Sequence, residues 1–478
     1  MYKNNSYINI PEYVTSLIIE YSFVDRSYYW RWRLALNTLS WRYFNLIKVL
    51  YNKLLLNSVM IYDHITSDYL SMTPRHIYTS LIDLNKLLKD TRVMPLLISP
   101  NTPLTSNNIQ SLVIEERGSP FSMVGSVDIK NFVEHLSSLR RFTFESSHTT
   151  IHDNTLLALM NNNAPLEEIE YLSPLQDASL ALASLVSARA SSLTKLAFGS
   201  TTKRGDDGSN ERFIQNSLLS QATLFTRLTS LKIQCYITDS SIFFISLTDL
   251  SSLTSLSLLQ CQFKNETMAK RQMVAYLSNN QTLKILKTSI MLDNSITSSI
   301  NSAARLRKIH MSTSPTTKAN QTLYIQLETS VQSLKITSMM LSDTFQLDIS
   351  TDIRFNQFRE LTINLVGQQG LSCYEDSLAH YLENNSSCRR LTCQYSKRII
   401  SSLRNNKSIE SITLHYRGIN NDMPLTTALL ALNDNQTILE IILDSGTIDL
   451  KTLQLPDIVG QLHMTNASMD NGQRRIHF

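Results

Sequence analysis

From residue 109 onward the chain repeats one arrangement of apolar and polar positions. Apolar residues stand at the first, fourth and sixth places of a six-residue frame, with polar residues between them. The frame opens at Ile109, Leu139, Leu166, Leu193, Leu228, Leu253, Leu283, Leu306, Val331, Phe358, Cys388, Ile409 and Ile438, and 459–464 offers a further copy. The alternation at its end predicts a short strand, with well-formed cases at Phe142–Phe144, Ile169–Tyr171, Leu231–Ile233, Leu256–Leu258, Leu361–Ile363 and Ile412–Leu414. With 42% apolar residues, single copies arise by chance, so the regular spacing carries the signal: the openings recur every 27 residues or so.

The segments between frames change period. Leu156–Met160, Ala178–Ala190, Phe213–Leu224, Thr267–Leu277, Tyr374–Leu382, Lys397–Leu403 and Thr426–Leu432 read as short amphipathic helices. Many lead into Asn-rich turns at 161–163, 279–280, 384–385 and 405–406. Asn tolerates the left-handed conformation that ends a helix, which predicts that conformation here. Each unit therefore runs strand, loop, helix, turn, and it buries its apolar face only by stacking on its neighbours.

Over residues 101–465 this pattern resembles the leucine-rich repeat, whose units span about 20–29 residues. The resemblance implies an α/β leucine-rich-repeat solenoid, a curved parallel sheet with helices on its convex side. That family usually places Asn or Cys three residues after the last strand leucine. Only Cys261 fits; Ser147, Thr201, Tyr236, Ser314, Met339, Val366 and Arg417 stand there in other units. Irregular turns are expected, with a protruding loop at Thr201–Asn210, rich in Gly, Ser and charge. Residues 57–100 read as a junction or an atypical first repeat, with an early strand at Val59–Tyr62 and a helix over Ile77–Lys89. Residues 466–478 read as a polar tail.

Residues 1–56 differ. They hold all three tryptophans, Trp30, Trp32 and Trp41. Pro11 with Glu12 fits a helix start, and Val14, Leu17, Ile18 and Tyr21 follow at helical spacing. A second helical pattern runs through Leu36, Leu39, Tyr43, Leu46 and Leu50, broadened by Phe44, Ile47 and Leu54. A stripe that wide asks for burial on two sides. The pair Ile10-Pro11, the helix through Val14 and Ile18, and the run Leu39–Leu46 resemble an F-box. Trp41 departs from it where a basic residue is usual, and 26–32 looks like extra length. The resemblance implies a helical module that docks a Skp-type adaptor through Ile10, Pro11, Val14 and Leu39, in a substrate receptor of a cullin-type ubiquitin ligase. The alternative is a helical cap on a plain repeat scaffold, since a terminal repeat otherwise exposes its core.

Composition narrows the field. The net charge of +4 over 478 residues is mild, and no block of five like charges occurs, so nucleic acid is not the expected partner. Five cysteines without a C-x-x-C pair suit free thiols in a reducing compartment. No signal-like apolar run follows Met1 and no stretch approaches 18 apolar residues, which points to a cytoplasmic or nuclear protein without a membrane span. N-x-S/T triplets at Asn265, Asn320 and Asn435 read as by-products of an Asn-, Ser- and Thr-rich composition.

Catalytic chemistry finds no foothold. No phosphate-loop, dinucleotide, zinc-protease or nucleophile-elbow pattern occurs, and no cofactor is expected. Lys203–Gly208 lacks the spacing of a phosphate or metal loop. His148 and His152 stand four apart beside Asp153, a spacing that could hold a metal only with a third ligand, and none is evident. Strand alternation gives the one site-like pattern. Lys195, Lys232, Lys287, Lys308, His310, Lys335 and Arg390 fall on the concave face, flanked by Glu115, Glu145, Glu168 and Glu170 before them and by Glu440 and Asp444 after them. Lys232, Lys287, Lys308, His310, Lys335 and Arg390 are therefore the candidate partner-binding residues, suited to an acidic protein segment or a phosphorylated ligand. The plain alternative is a solvated sheet face.

Overall fold

The computed structural model describes residues 53–56, 76–80, 84, 109–116, 125–173, 179–199, 221–290, 294–303, 305–313, 322–327, 330–338, 346–350, 352, 355–365, 374–415, 432, 435, 437–444, 469–470 and 473–477. The candidate adaptor residues Ile10, Pro11, Val14 and Leu39, the loop at 201–210 and the copy at 459–464 lie outside them. The chain divides into two compact units, Met1–Leu193 with Gly199–Arg204, and Thr194–Phe198 with Gly205–Phe478.

The first unit holds β1 (Lys53–Leu56), β2 (His76–Ser80), β3 (Ser111–Glu115), β4 (Gly125–Val127), β5 (Arg141–Glu145), β6 (Thr149–Ile151) and β7 (Glu168–Leu172). Strands β1, β2, β3, β5 and β7 pair in that order, all parallel; β4 and β6 form a small parallel ladder of their own. Helices α1 (Lys130–Val133) and α2 (Asp153–Asn161) lie in the crossovers that the parallel pairing of β3, β5 and β7 demands, and α3 (Ser179–Arg189) follows β7.

Two sequence expectations are corrected here. The helix expected over Ile77–Lys89 starts too early, since Leu84 is helical but His76–Ser80 is strand, with Ile77 and Thr79 facing the core at alternate positions. The helical pattern carried to Leu54 ends sooner, since Lys53–Leu56 is a strand paired with β2. Short apolar runs of this kind suit either period, and the neighbouring strand decides.

The second unit opens with β8 (Lys195–Gly199), whose last residue, Gly199, is counted in the first. It continues through β9 (Ser230–Gln234), β10 (Tyr236–Ile237), β11 (Ser255–Leu258), β12 (Gln262–Phe263), β13 (Ile285–Thr288), β14 (Lys308–Thr313), β15 (Thr322–Ile325), β16 (Ser333–Ser338), β17 (Gln346–Ile349), β18 (Glu360–Leu365), β19 (Arg390–Gln394), β20 (Ser411–His415) and β21 (Glu440–Asp444). Strands β9, β11, β13, β14, β16, β18, β19, β20 and β21 form one parallel ladder. Between them come α4 (Ser240–Thr248), α5 (Glu266–Asn279), α6 (Asn294–Ser302), α7 (Glu375–Asn384) and α8 (Lys397–Asn405). The tail does not stay polar coil. Its β22 (Met469–Asp470) and β23 (Gln473–His477) form a hairpin, and β23 lies antiparallel on β21. A last parallel strand otherwise leaves a row of unpaired backbone groups, which this strand covers.

The six-residue frame is the core. All thirteen opening residues from Ile109 to Ile438 are buried, and each strand begins two residues after its opening residue. All six strands named from the sequence lie within observed strands. Cys261 does what its position implies, its thiol donating to the carbonyl of Ile233 at 3.1 Å. The fold is thus an α/β leucine-rich-repeat architecture.

The asparagine turns work differently from the sequence expectation. Asn162, Asn280, Asn385 and Asn406 cap α2, α5, α7 and α8 in extended conformations, not left-handed ones. They act through the side-chain amide. The Oδ1 of Asn406 accepts from the amides of Ser408 and Ile409, at 2.9 and 3.0 Å, while its Nδ2 donates to the carbonyls of Leu382 and Asn385 one repeat back. Asn435 repeats this toward Thr437 and Ile438, and toward Leu403 and Asn406. The following hydroxyl adds a second tie: Thr282 donates to Leu253, Ser387 to Phe358 and Thr437 to Asn406. A short amide that satisfies its own turn and the neighbour's carbonyls removes the need for a left-handed residue. Asn356 is the exception, with φ of 54°; its amide bonds Leu327, Ile325 and Ser350.

Candidate partner-binding face

The strand residues between the core positions define an open face in the second unit. Register fixes two rows across its strands. One runs Ser255, Ile285, Lys308, Ser333, Glu360, Arg390, Ser411, Glu440. The other runs Lys232, Ser257, Lys287, His310, Lys335, Thr362, Thr392, Thr413. All six candidate binding residues stand on this face, Lys308 and Arg390 in the first row and the other four in the second.

The alternation that places them is enforced by the core. Leu231 and Ile233 are buried on either side of Lys232, as are Ile309 and Met311 beside His310 and Leu334 and Ile336 beside Lys335. A shift of one residue would put ammonium groups into that core, where an unpaired charge is prohibitive. Lys287, Lys308 and Lys335 are exposed, whereas Lys232 and His310 are half-buried.

Electrostatics separates the members. Arg390 is neutralised, its guanidinium donating to Glu360 at 3.0 Å across neighbouring strands. Lys287, Lys308 and Lys335 form no ion pair among the described residues. Burial, and the ammonium groups of Lys335 and Lys287, lower the pKa of His310 to about 4, which leaves it neutral near pH 7. Its Nε2 lies 3.1 Å from the Thr337 hydroxyl, which itself donates to the carbonyl of Met311. The face thus carries unpaired cations, a neutral imidazole and then hydroxyls at Thr362, Thr392 and Thr413.

Reading the sequence for charge alone missed Glu360 and the threonine continuation. Both occupy the same alternate positions and are visible once those positions are followed for every residue type. Lys195 is exposed at the start of β8. The acidic flank takes its expected strand positions in the first unit, Glu115 ending β3, Glu145 ending β5, Glu168 opening β7, and Glu170 standing between buried Ile169 and Tyr171.

Other candidate chemistry resolves into structure. His152 caps α2, its Nδ1 accepting from the amide of Asn154 at 3.2 Å. Among the described residues no three His, Cys, Asp or Glu side chains are grouped to hold a metal. Burial pushes the thiol of Cys388 up to about 12 and that of Cys393 up as well, which keeps both unreactive. No helix among the described residues is long and apolar enough to cross a membrane.

No protein-family model matches the sequence, and no curated protein matches it. Among solved structures, the chain is similar to one in the crystal structure of the yeast Rad7 and Elc1 complex. The sequence identity is 14% and the TM-score 0.41, over 75% of this chain and 81% of that one. A likeness at this level transfers neither partner nor function.

Proposed function

We propose that the chain is a non-catalytic protein-interaction adaptor that holds its target on the open sheet face of the second unit. The observation that carries this reading is the set of unpaired lysines, Lys287, Lys308 and Lys335, standing on a face whose register the core fixes. Repeat ladders of this kind offer long regular surfaces for partners. The buried thiols of Cys388 and Cys393 are poor nucleophiles.

In the finer reading the protein is a substrate receptor of a cullin-type ubiquitin ligase, with the F-box-like segment holding a Skp-type adaptor through Ile10, Pro11, Val14 and Leu39. That reading rests on the sequence resemblance at 10–46. Pull-down of the full chain with a Skp-type adaptor tests it. The wild type is expected to bind, and Ile10→Ala with Pro11→Ala to weaken binding without altering the thermal melt of the repeats. No binding by the wild type would instead assign residues 1–56 to a helical cap on a scaffold without a ligase role.

A further inference from the structure

We infer that Lys287, Lys308 and Lys335, with the His310 imidazole between them, form one anion site that takes a phosphomonoester carried on a side chain of a protein partner. The inference rests on the reading of this face as a protein-binding surface, and not on the ligase role.

Register builds the site. His310 of β14 stands opposite Lys287 of β13 on one side and opposite Lys335 of β16 on the other. Neighbouring strands lie about 4.8 Å apart, so the two lysines flank the imidazole at that spacing. Lys308 precedes His310 by two residues on β14, on the same face and about 6.7 Å along the strand. The three lysines therefore rise within about 10 Å of one another around one imidazole. Lys232 lies two strands beyond Lys287 and is not part of the group. All three lysines are exposed and form no ion pair among the described residues. Strands β13, β14 and β16 carry no Asp or Glu. The nearest carboxylate in either row, Glu360 on β18, is held by Arg390.

Three cations around one point ask for more charge than a single carboxylate brings. A phosphomonoester carries a charge of about −1.5 to −2 near neutral pH and three acceptor oxygens, one for each ammonium. The imidazole adds a fourth contact. The Thr337 hydroxyl donates to the Met311 carbonyl, so its oxygen accepts from the Nε2–H of His310 and Nδ1 is left as the basic nitrogen. Nδ1 makes no hydrogen bond among the described residues. On β13, β14 and β16 the charged side chains beside His310 are Lys287, Lys308 and Lys335 alone, and their field helps keep it unprotonated. A phosphate dianion reverses that field, and the proton that Nδ1 then takes from solvent becomes a further donor to the anion.

The surroundings favour a protein as the carrier. Hydroxyls at Ser333, Thr362 and Thr392 stand in the same two rows, as partners for the backbone of a segment laid beside the phosphate. A nucleic acid asks for cations that continue from phosphate to phosphate and for rings on which its bases stack. Beyond Lys335 the second row turns to threonine, and neither row contains a Phe, Tyr or Trp. A membrane surface asks for exposed apolar side chains beside the lysines. The one apolar residue in the two rows, Ile285, is half-buried.

The test uses the full chain and fluorescein-labelled alanine-glycine peptides that differ only at the centre. One carries phosphoserine, one serine, and one a Glu-Glu pair that matches the phosphoserine in charge. Fluorescence anisotropy near neutral pH is expected to give about tenfold tighter binding of the phosphoserine peptide than of the Glu-Glu peptide, and none of the serine peptide. Lys287→Ser, Lys308→Ser and Lys335→Ser should each weaken binding about tenfold. Lys264→Ser, which removes an exposed cation elsewhere in the second unit, should not. All four lysines are exposed, so the variants should keep the wild-type melt. In inorganic phosphate the His310 imidazole, followed by proton NMR, should titrate above about 4 and toward 6.5.

Equal affinity for the phosphoserine and Glu-Glu peptides overturns the inference, as does Lys308→Ser binding the phosphoserine peptide as well as Lys264→Ser does. So does tighter binding of a thymidine oligonucleotide, or of phosphoinositide-containing vesicles, than of the phosphoserine peptide. Equal binding of the two charged peptides that is lost in Lys308→Glu with Lys335→Glu removes the phosphate site and keeps the face as a protein-binding surface. No binding of any peptide, with the His310 titration unmoved in inorganic phosphate, removes both.

Discussion

The two units build the same repeat and dress its alternate positions in opposite ways. In the first, Arg141 lies 3.7 Å from Glu168 and 3.9 Å from Glu170. Its middle row also withdraws Val113 and Thr143 from solvent. In the second, the corresponding rows leave Lys287, Lys308 and Lys335 exposed and without ion pairs. Core positions therefore fix the repeat, and the residues between them are free to set the character of each face. The second face pairs Arg390 with Glu360 at 3.0 Å, and among the described residues it leaves Lys287, Lys308 and Lys335 without ion pairs.

The comparison breaks first at the core, where the two units should behave alike. Leu112 in β3, Leu256 in β11 and Leu361 in β18 are all buried, and Leu→Ala at each should cost about 2–5 kcal/mol by thermal or denaturant melt. An unchanged melt at both Leu256 and Leu361 would remove them from the core. The turn asparagines come next. Asn406→Ala strands two backbone amides of its own turn and two carbonyls of the preceding repeat. It should destabilise by about 1–3 kcal/mol. Asn406→Asp keeps the acceptor and loses the donor, so it should also destabilise, which distinguishes the tie between repeats from the local turn.

Smaller effects sharpen the contrast between the faces. Lys335→Ser removes a cation beside His310, so the imidazole, held at about 4, should titrate at a higher pH by proton NMR. An unmoved titration would mean that burial and Lys287 set it without Lys335. The smallest expected effect is on stability against pH. Unfolded His310 takes up a proton near its ordinary value of 6.5, and folded His310 only near 4. Between these values the unfolded chain binds the extra proton, so this contribution to stability is present above about pH 6.5 and is lost as pH falls toward 4. His310→Asn should flatten the pH dependence of the melt in that window.

Much of this was legible from a period. The frame from Ile109 to Ile438 locates the core and the strand starts because apolar burial repeats with the repeat itself. The same frame points Lys232, Lys287 and Lys335 to one face, since strand side chains alternate strictly. What stayed hidden depends on partners distant in sequence. Ile77 is strand because β1 and β3 flank it, and Gln473–His477 is strand because β21 needs an edge covered. The pairing of Arg390 with Glu360 spans thirty residues and follows from register between neighbouring strands. Asn406 was legible as a turn residue but not in its mechanism, because the carbonyls it bonds belong to the previous repeat.

The asparagine turns also constrain where such a chain can mature. Asn385-Ser-Ser, Asn406-Lys-Ser and Asn435-Gln-Thr each have the form of an acceptor for N-linked sugar. In the folded chain the amide nitrogens of Asn406 and Asn435 are spent on the carbonyls of the repeat before, and both residues are buried. A glycan attached during synthesis would take that nitrogen's place in the ladder and would find no room there. An oligosaccharide-transferring enzyme that met the nascent chain would therefore be an antagonist of its folding. The same triplets that look like invitations to glycosylation mark the sites where this fold tolerates it least.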